Sequence, residues 1–155
     1  MPDDGPAQLV EVLGADDRPE WDLHAVASQY RLRTRFPKAA EAEAEKHHAP
    51  GGAERRGRLD LRDRLAFTID PEDARDHDDA LTVGRSGDGR WEVGIHIADV
   101  SHYVPAGSAL DHEAELRGTS VYLPGGVVPM LPERLSADLC SLRPDCDRLV
   151  LSVLV

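Results

Sequence analysis

The sequence predicts an α/β chain of the α+β type, a mixed and mainly antiparallel sheet preceded by two helices. Three observations carry this expectation. Helix-period apolar spacing is confined to two short stretches before residue 47 and one after Ser108. Short runs of β-branched and aliphatic residues begin at Leu65 and recur to the end of the chain. The turn Ser86-Gly87-Asp88-Gly89 joins two of these runs in the manner of a hairpin.

Taken in order, Leu9-Val10-Glu11-Val12-Leu13-Gly14 alternates apolar and polar residues and stops at glycine, as a short strand does. Nothing upstream supplies it with partner strands, and a lone strand cannot bury its face. A helix is expected from Asp22, as N-cap, through Leu23, Val26 and Ala27 to Tyr30. A second begins near Pro37 and runs through Ala-Glu repeats to about Lys46. Pro50 and two glycines mark His47 to Gly52 as a linker. Beyond it Arg55, Arg56, Arg58, Arg62 and Arg64 form a basic patch, read either as a solvated connector or as a phosphate contact.

Strands are expected at Leu65–Ile69, Ala80–Val83 and Trp91–Ile97, then a helix capped by Ser108 and running to Arg117. Ser120-Val121-Tyr122-Leu123 reads as a further strand, turned by Pro124-Gly125-Gly126. Leu149 to Val155 is a β-rich apolar run without a protecting charge or turn. With the orphan strand at the start, it leads to the expectation that this chain is an excerpt of a longer one.

Composition narrows the function. The chain has 155 residues, 41% hydrophobic and 30% charged, which suits a globular domain and not a disordered one. No run approaches the roughly 18 to 20 apolar residues of a spanning helix. The N-terminus has neither the basic nor the apolar region of a signal peptide, so a cytoplasmic location is expected. Acidic residues number 29 against 18 basic ones, a formal charge of -11, which argues against whole-surface binding to nucleic acid or anionic membrane but allows a local basic channel. Cys140 and Cys146 are too few for a disulfide framework and are expected to be reduced.

The chemistry-bearing segment is Asp70-Pro71-Glu72-Asp73-Ala74-Arg75-Asp76-His77-Asp78-Asp79, with five aspartates and one glutamate in ten residues. A solvated acidic loop is the default for a charge run, since like charges about 4 Å apart repel by only roughly 1 kcal/mol in water. Apolar residues flank this run on both sides, however, and carboxylates at the inner ends of buried strands call for cations. Pro71 ends one strand, and the loop can return so that Asp70 converges on Asp76, Asp78 and Asp79. All-oxygen ligation suits Mg²⁺ or Mn²⁺ better than zinc. An EF-hand is excluded, because counting from Asp70 puts Arg75 at the glycine position and Leu81 at the glutamate position. From the residues alone, a metal-phosphate site and a structural acidic loop both stay open. His77, His96 and His102 lack a ligand constellation and are assigned structural or hydrogen-bonding roles.

The segment Thr68 to Ala80, with Gly94-Ile95-His96-Ile97-Ala98-Asp99-Val100-Ser101-His102-Tyr103-Val104, resembles the opening of the catalytic domain of the ribonuclease II / ribonuclease R family. Arg117 to Pro124, Val128 to Pro132 and Leu135 to Leu142 extend the likeness, which covers about residues 60 to 155 and is nearer to ribonuclease R. More weakly, Val10 to Gly14 and the helices after it resemble the junction that follows a cold-shock domain. The resemblance divides the chain into the end of a truncated cold-shock or OB-like domain at 1–15, a helical linker at 16–59 and the N-terminal part of the catalytic domain at 60–155.

The same resemblance implies 3′→5′ hydrolysis of single-stranded RNA to nucleoside 5′-monophosphates, with Mg²⁺ at Asp70, Asp76, Asp78 and Asp79. Asp70 and Asp79 are then the direct ligands, Asp78 the most sensitive to substitution, and Asp76 a ligand or its supporting partner. Tyr122 matches an aromatic that stacks on RNA near its 3′ end; a packed strand tyrosine is the alternative. His77 stands where the family often has an aromatic residue. The full-length parent is expected to be a monomer, and the excerpt to be inactive alone. Two other readings remain: a non-catalytic RNA- or partner-binding module, and a magnesium-dependent phosphohydrolase, which leaves the match through Leu142 unexplained.

Overall fold

The computed structural model describes residues 19–124 and 126–155, so the expected strand at Leu9–Gly14 lies outside the described residues. Helices α1 (Pro19–Gln29), α2 (Lys38–Ala44) and α3 (Gly52–Arg55) precede the first strand. A sheet follows from β1 (Ala66–Phe67), β2 (Asp79–Arg85) and β3 (Trp91–Ala98). After it come α4 (Val100–Tyr103), α5 (Ala109–Arg117), the hairpin β4 (Val121–Leu123) and β5 (Gly126–Val128), a π-helical turn at Arg134–Leu139, and β6 (Val150–Leu154). The larger sheet has the order β1-β2-β3-β6, and every pairing in both sheets is antiparallel among the described residues.

Local chemistry accounts for the elements that position the site. The hairpin between β2 and β3 closes through Ser86 N donating to Arg90 O at 2.9 Å, with Gly89 at φ +84°, a conformation open to glycine. Arg85 and Trp91 face each other at its mouth, the guanidinium 4.1 Å above the ring. Helix α5 begins as the sequence predicts, with Ser108 Oγ accepting from Asp111 N at 3.1 Å, and ends at Gly118 with φ +73°. Helix α1 starts at Pro19, three residues earlier than expected, because proline is tolerated in a first turn; Asp22 therefore falls inside the helix.

The two faces of the sheet differ. Ala80, Thr82, His96 and Ala98 are buried, whereas Val83, Ile95, Ile97, Leu151 and Val153 on the opposite face are exposed. The core lies on the buried side, where Ala40 and Ala44 of α2 pack with Ala98, Tyr103, Leu110, Leu135, Leu139 and Cys140. Helix α2 is thus built into the core.

The expectation that buried strands flank the acidic run needs correction. Strand β1 is only two residues long, Phe67 is half exposed, and Ile69 is 81% exposed, because no described element covers that face. Helices α3 and α4, strand β5 and the π-helical turn were not anticipated. The turn owes its width to Cys140 N reaching Leu135 O, five residues back, at 2.8 Å.

Candidate functional site

The acidic loop runs from Asp70, just past β1, to Asp79, the first residue of β2. Pro71 and the turn at Glu72–Asp73 send the chain back on itself, and His77 Nδ1 meets Asp70 Oδ2 at 2.9 Å. With Asp70 ionised, that bond requires the proton on Nδ1. The His77 contact, followed by a hydrogen bond from Thr68, holds the Asp70 carboxyl below the usual carboxylate range.

Tyr122, on β4, crosses to the same loop and donates its hydroxyl to Asp76 Oδ2. Its phenol is pushed up to about 12, chiefly by that hydrogen bond, then by burial, then by the negative charges of Asp76, Asp78 and Asp70. Of the predicted aspartates, Asp76 is the one hydrogen-bonded to this side chain; Asp79 sits opposite Ile97 in the sheet with its side chain exposed. The Tyr122 side chain is itself exposed, which sets aside the alternative of a tyrosine packed in a core.

The four carboxylates do not close into a cage. Among the described residues, no three carboxylate, imidazole or thiol groups stand close enough to share one ion. Asp70 is engaged by His77 and Asp76 by Tyr122. The full convergence expected from the sequence is thus only partly realised: the backbone turns back, while the carboxylates splay. Asp78 and Asp79 accept no side-chain hydrogen bond from a described residue, so their oxygens are open to a cation. An all-carboxylate donor set fits a hard divalent ion.

The other candidates resolve into structural roles. His96 is buried and spans the sheet, Nε2 3.0 Å from Thr82 Oγ1 and Nδ1 2.8 Å from Ser152 Oγ, with burial lowering its pKa. His102 packs edge-on against Tyr103, ring centres 4.9 Å apart. In the basic patch, Arg55 pairs with Asp147 at 2.7 Å, Arg58 with Asp99 at 2.6 Å, Arg62 with Asp60 at 2.5 Å, and Arg64 with Glu92. The patch is mostly self-neutralised. Arg55, Arg62, Asp147 and Ser152 line a cleft of about 500 Å³ beside β6.

Sequence reasoning missed Ser141 and Asp138. Ser141 is fully buried against the acidic loop, and Asp138 gathers Arg134, Arg143 and Arg148 at 2.7, 2.6 and 3.1 Å. Both lie in the Leu135–Leu142 run singled out above, but nothing local in it distinguishes a partner of the loop from a core residue.

Comparison with known proteins bears on this geometry. The RNB domain family matches residues 58–155. Ribonuclease R of Thermotoga maritima is 49% identical over 152 residues, covering 95% of this chain and 21% of the relative. Ribonuclease R of Escherichia coli is 44% identical over 144 residues, covering 92% and 18%. Among solved structures, Mycoplasma genitalium RNase R in complex with ribose methylated single-stranded RNA superposes with a TM-score of 0.84 at 36% identity, covering 94% of this chain and 23% of that one. The chain spans about a fifth of the length of these relatives.

Proposed function

The chain belongs to the RNB domain family, and from that premise we propose that it carries the acidic part of a 3′→5′ exoribonuclease site that hydrolyses single-stranded RNA to nucleoside 5′-monophosphates. The observation that carries this reading is the loop Asp70–Asp79 folded back on itself, with His77 bonded to Asp70 and Tyr122 of β4 bonded to Asp76. RNA is the substrate class because the Mycoplasma genitalium relative is an RNase R in complex with ribose methylated single-stranded RNA, and another structure of it is with double-stranded RNA.

Asp70, Asp76, Asp78 and Asp79 would hold Mg²⁺, with Mn²⁺ as a substitute. When bound, the cation supplies an activated water and charge neutralisation at the scissile phosphate. Asp70 and Asp79, at the two ends of the loop, are the direct ligands, and Asp78 is the residue whose loss costs most. Asp76, which accepts the Tyr122 hydroxyl, would serve as a further ligand or as a supporting partner of the ligands. That hydroxyl contact orients an exposed ring on which a base can stack, an interaction worth roughly 1 to 3 kcal/mol and indifferent to base identity. From the resemblance to ribonuclease R, the whole protein is proposed to be cytoplasmic and monomeric. No helix of the described residues is long and apolar enough to cross a membrane. The 155-residue chain alone is expected to be inactive.

The test is release of mononucleotides from a 3′-labelled single-stranded RNA, with Mg²⁺ and with EDTA, by this chain and by the longest open reading frame that contains it. The longer protein is expected to release nucleoside 5′-monophosphates with Mg²⁺ and to stop with EDTA. In it, Asp78→Asn is expected to abolish hydrolysis and leave RNA binding intact. Turnover retained by Asp78→Asn would overturn the assignment, and binding without turnover in the unaltered protein would favour a non-catalytic RNA-binding module.

A further inference from the structure

We propose that Ser141 is the positioning residue of the acidic loop, its single hydroxyl fixing both peptide groups that flank Asp76. The proposal rests on the reading of that loop as a cation site. Ser141 Oγ donates to Arg75 O at 2.7 Å and accepts from Arg75's second neighbour, His77, at its backbone N at 3.2 Å. The first group belongs to the peptide between residues 75 and 76, the second to the peptide between 76 and 77. Holding both planes sets the backbone angles of Asp76 and so the direction in which its carboxylate leaves the chain.

The next two peptides are held as well. Leu142 N donates to His77 O at 2.8 Å, and Ala98 N donates to Asp78 O at 2.9 Å. Consecutive peptides from 75 to 79 are thus anchored from outside the loop, the first two by one side chain. Ser141 is in turn fixed from behind: Arg148, its side chain almost fully covered, donates from Nε to Ser141 O at 2.9 Å and from Nη2 to Asp138 Oδ1 at 3.1 Å. This explains why carboxylates that repel one another stay on a closed loop: the backbone is fastened independently of any cation.

Serine suits the position because one oxygen donates and accepts at once, in a site where the residue is 0% exposed. Alanine removes both bonds without adding bulk. Threonine keeps the hydroxyl and adds a methyl group, and valine has the shape of threonine without the hydroxyl.

The experiment uses the 155-residue chain with Mn²⁺ alone as probe, free Mn²⁺ being followed by electron paramagnetic resonance, and amide hydrogen exchange measured at His77. Ser141→Ala and Ser141→Val are expected to lose His77 protection and to bind Mn²⁺ about 10- to 100-fold more weakly, the usual cost of removing a residue that orients a ligand. Ser141→Thr is expected to retain both properties, which a purely space-filling role cannot produce; where the larger pair unfolds, Ser141→Ala alone decides. Lost His77 protection with unchanged Mn²⁺ affinity would overturn the positioning role and leave the cation reading standing. Absence of Mn²⁺ binding by the unaltered chain would overturn the cation reading, and the positioning role with it.

Discussion

Cys140 and Cys146 show how burial separates two residues of one type. Cys140 is 5% exposed, and burial pushes its thiol up to about 12; Cys146 is exposed in the segment before β6. The expected outcome with a thiol-specific reagent at mildly alkaline pH is one fast-reacting sulfur in the native chain and two after denaturation. Two fast thiols in the native state would mean that the core around Leu135 and Leu139 is open. The shift also fixes the sign of an alkaline effect. A folded value raised above the unfolded one, about 8.5 for cysteine, favours the neutral thiol in the native state. The stabilisation from keeping Cys140 neutral is therefore complete below that pH and disappears as pH climbs toward about 12. A chain with Cys140→Ala is expected to lose that part of the alkaline dependence.

Among the elements, the hairpin of β2 and β3 was legible because glycine and aspartate at Ser86–Gly89 dictate a tight turn, and α5 because Ser108 is a cap with Gly118 to end it. The acidic loop was legible in composition but not in shape. Its closure depends on Ser141, 64 residues from His77, and no local pattern encodes a partner at that distance. The π-helical turn was missed for a related reason: Leu135–Leu139 has ordinary helical spacing, and nothing local in it distinguishes the five-residue bond from Cys140 N to Leu135 O from an ordinary helical one. The sheet carries a sharper test of element packing at Gly94. A Cβ there would stand 2.3 Å from Thr82 Oγ1 and 2.6 Å from His96 Nε2, inside the buried hydroxyl–imidazole chain. Gly94→Ala is expected to cost about 3 kcal/mol, from overpacking together with a broken buried hydrogen bond. In a Thr82→Ala background, where one obstructing oxygen is gone, the same change is expected to cost clearly less. Equal costs in the two backgrounds, measured by urea denaturation, would mean that Gly94 matters for some other reason.

At the scale of the whole molecule, the segment matched by the RNB family begins at residue 58, but the folded unit does not. Ala40 and Ala44 are 0% and 1% exposed beneath Tyr103 and Leu110, and Leu23 of α1 lies so near Gly126 that a Cβ there would stand 2.6 Å from it. Polar ties run the same way. Arg33 and Arg117 both pair with the buried Glu113, at 2.7 and 3.0 Å, and Arg117 also donates to Arg35 O and Pro129 O while its guanidinium stacks 3.6 Å from Phe36. Removing residues 1–57 takes away Arg33, exposes the α5 surface that α2 covers and leaves Glu113 with one partner. Loss of Arg33 leaves the buried Glu113 with Arg117 alone, and loss of α2 uncovers part of the core, both of which lower the melting temperature. The segment 58–155 alone is therefore expected to melt well below the 155-residue chain, or to show no cooperative transition in calorimetry. Equal melting temperatures would show that α1 and α2 are a detachable lead-in and that the unit ends where the family match does. A large difference would make the helices part of the platform on which Ser141 and β4 present the acidic loop.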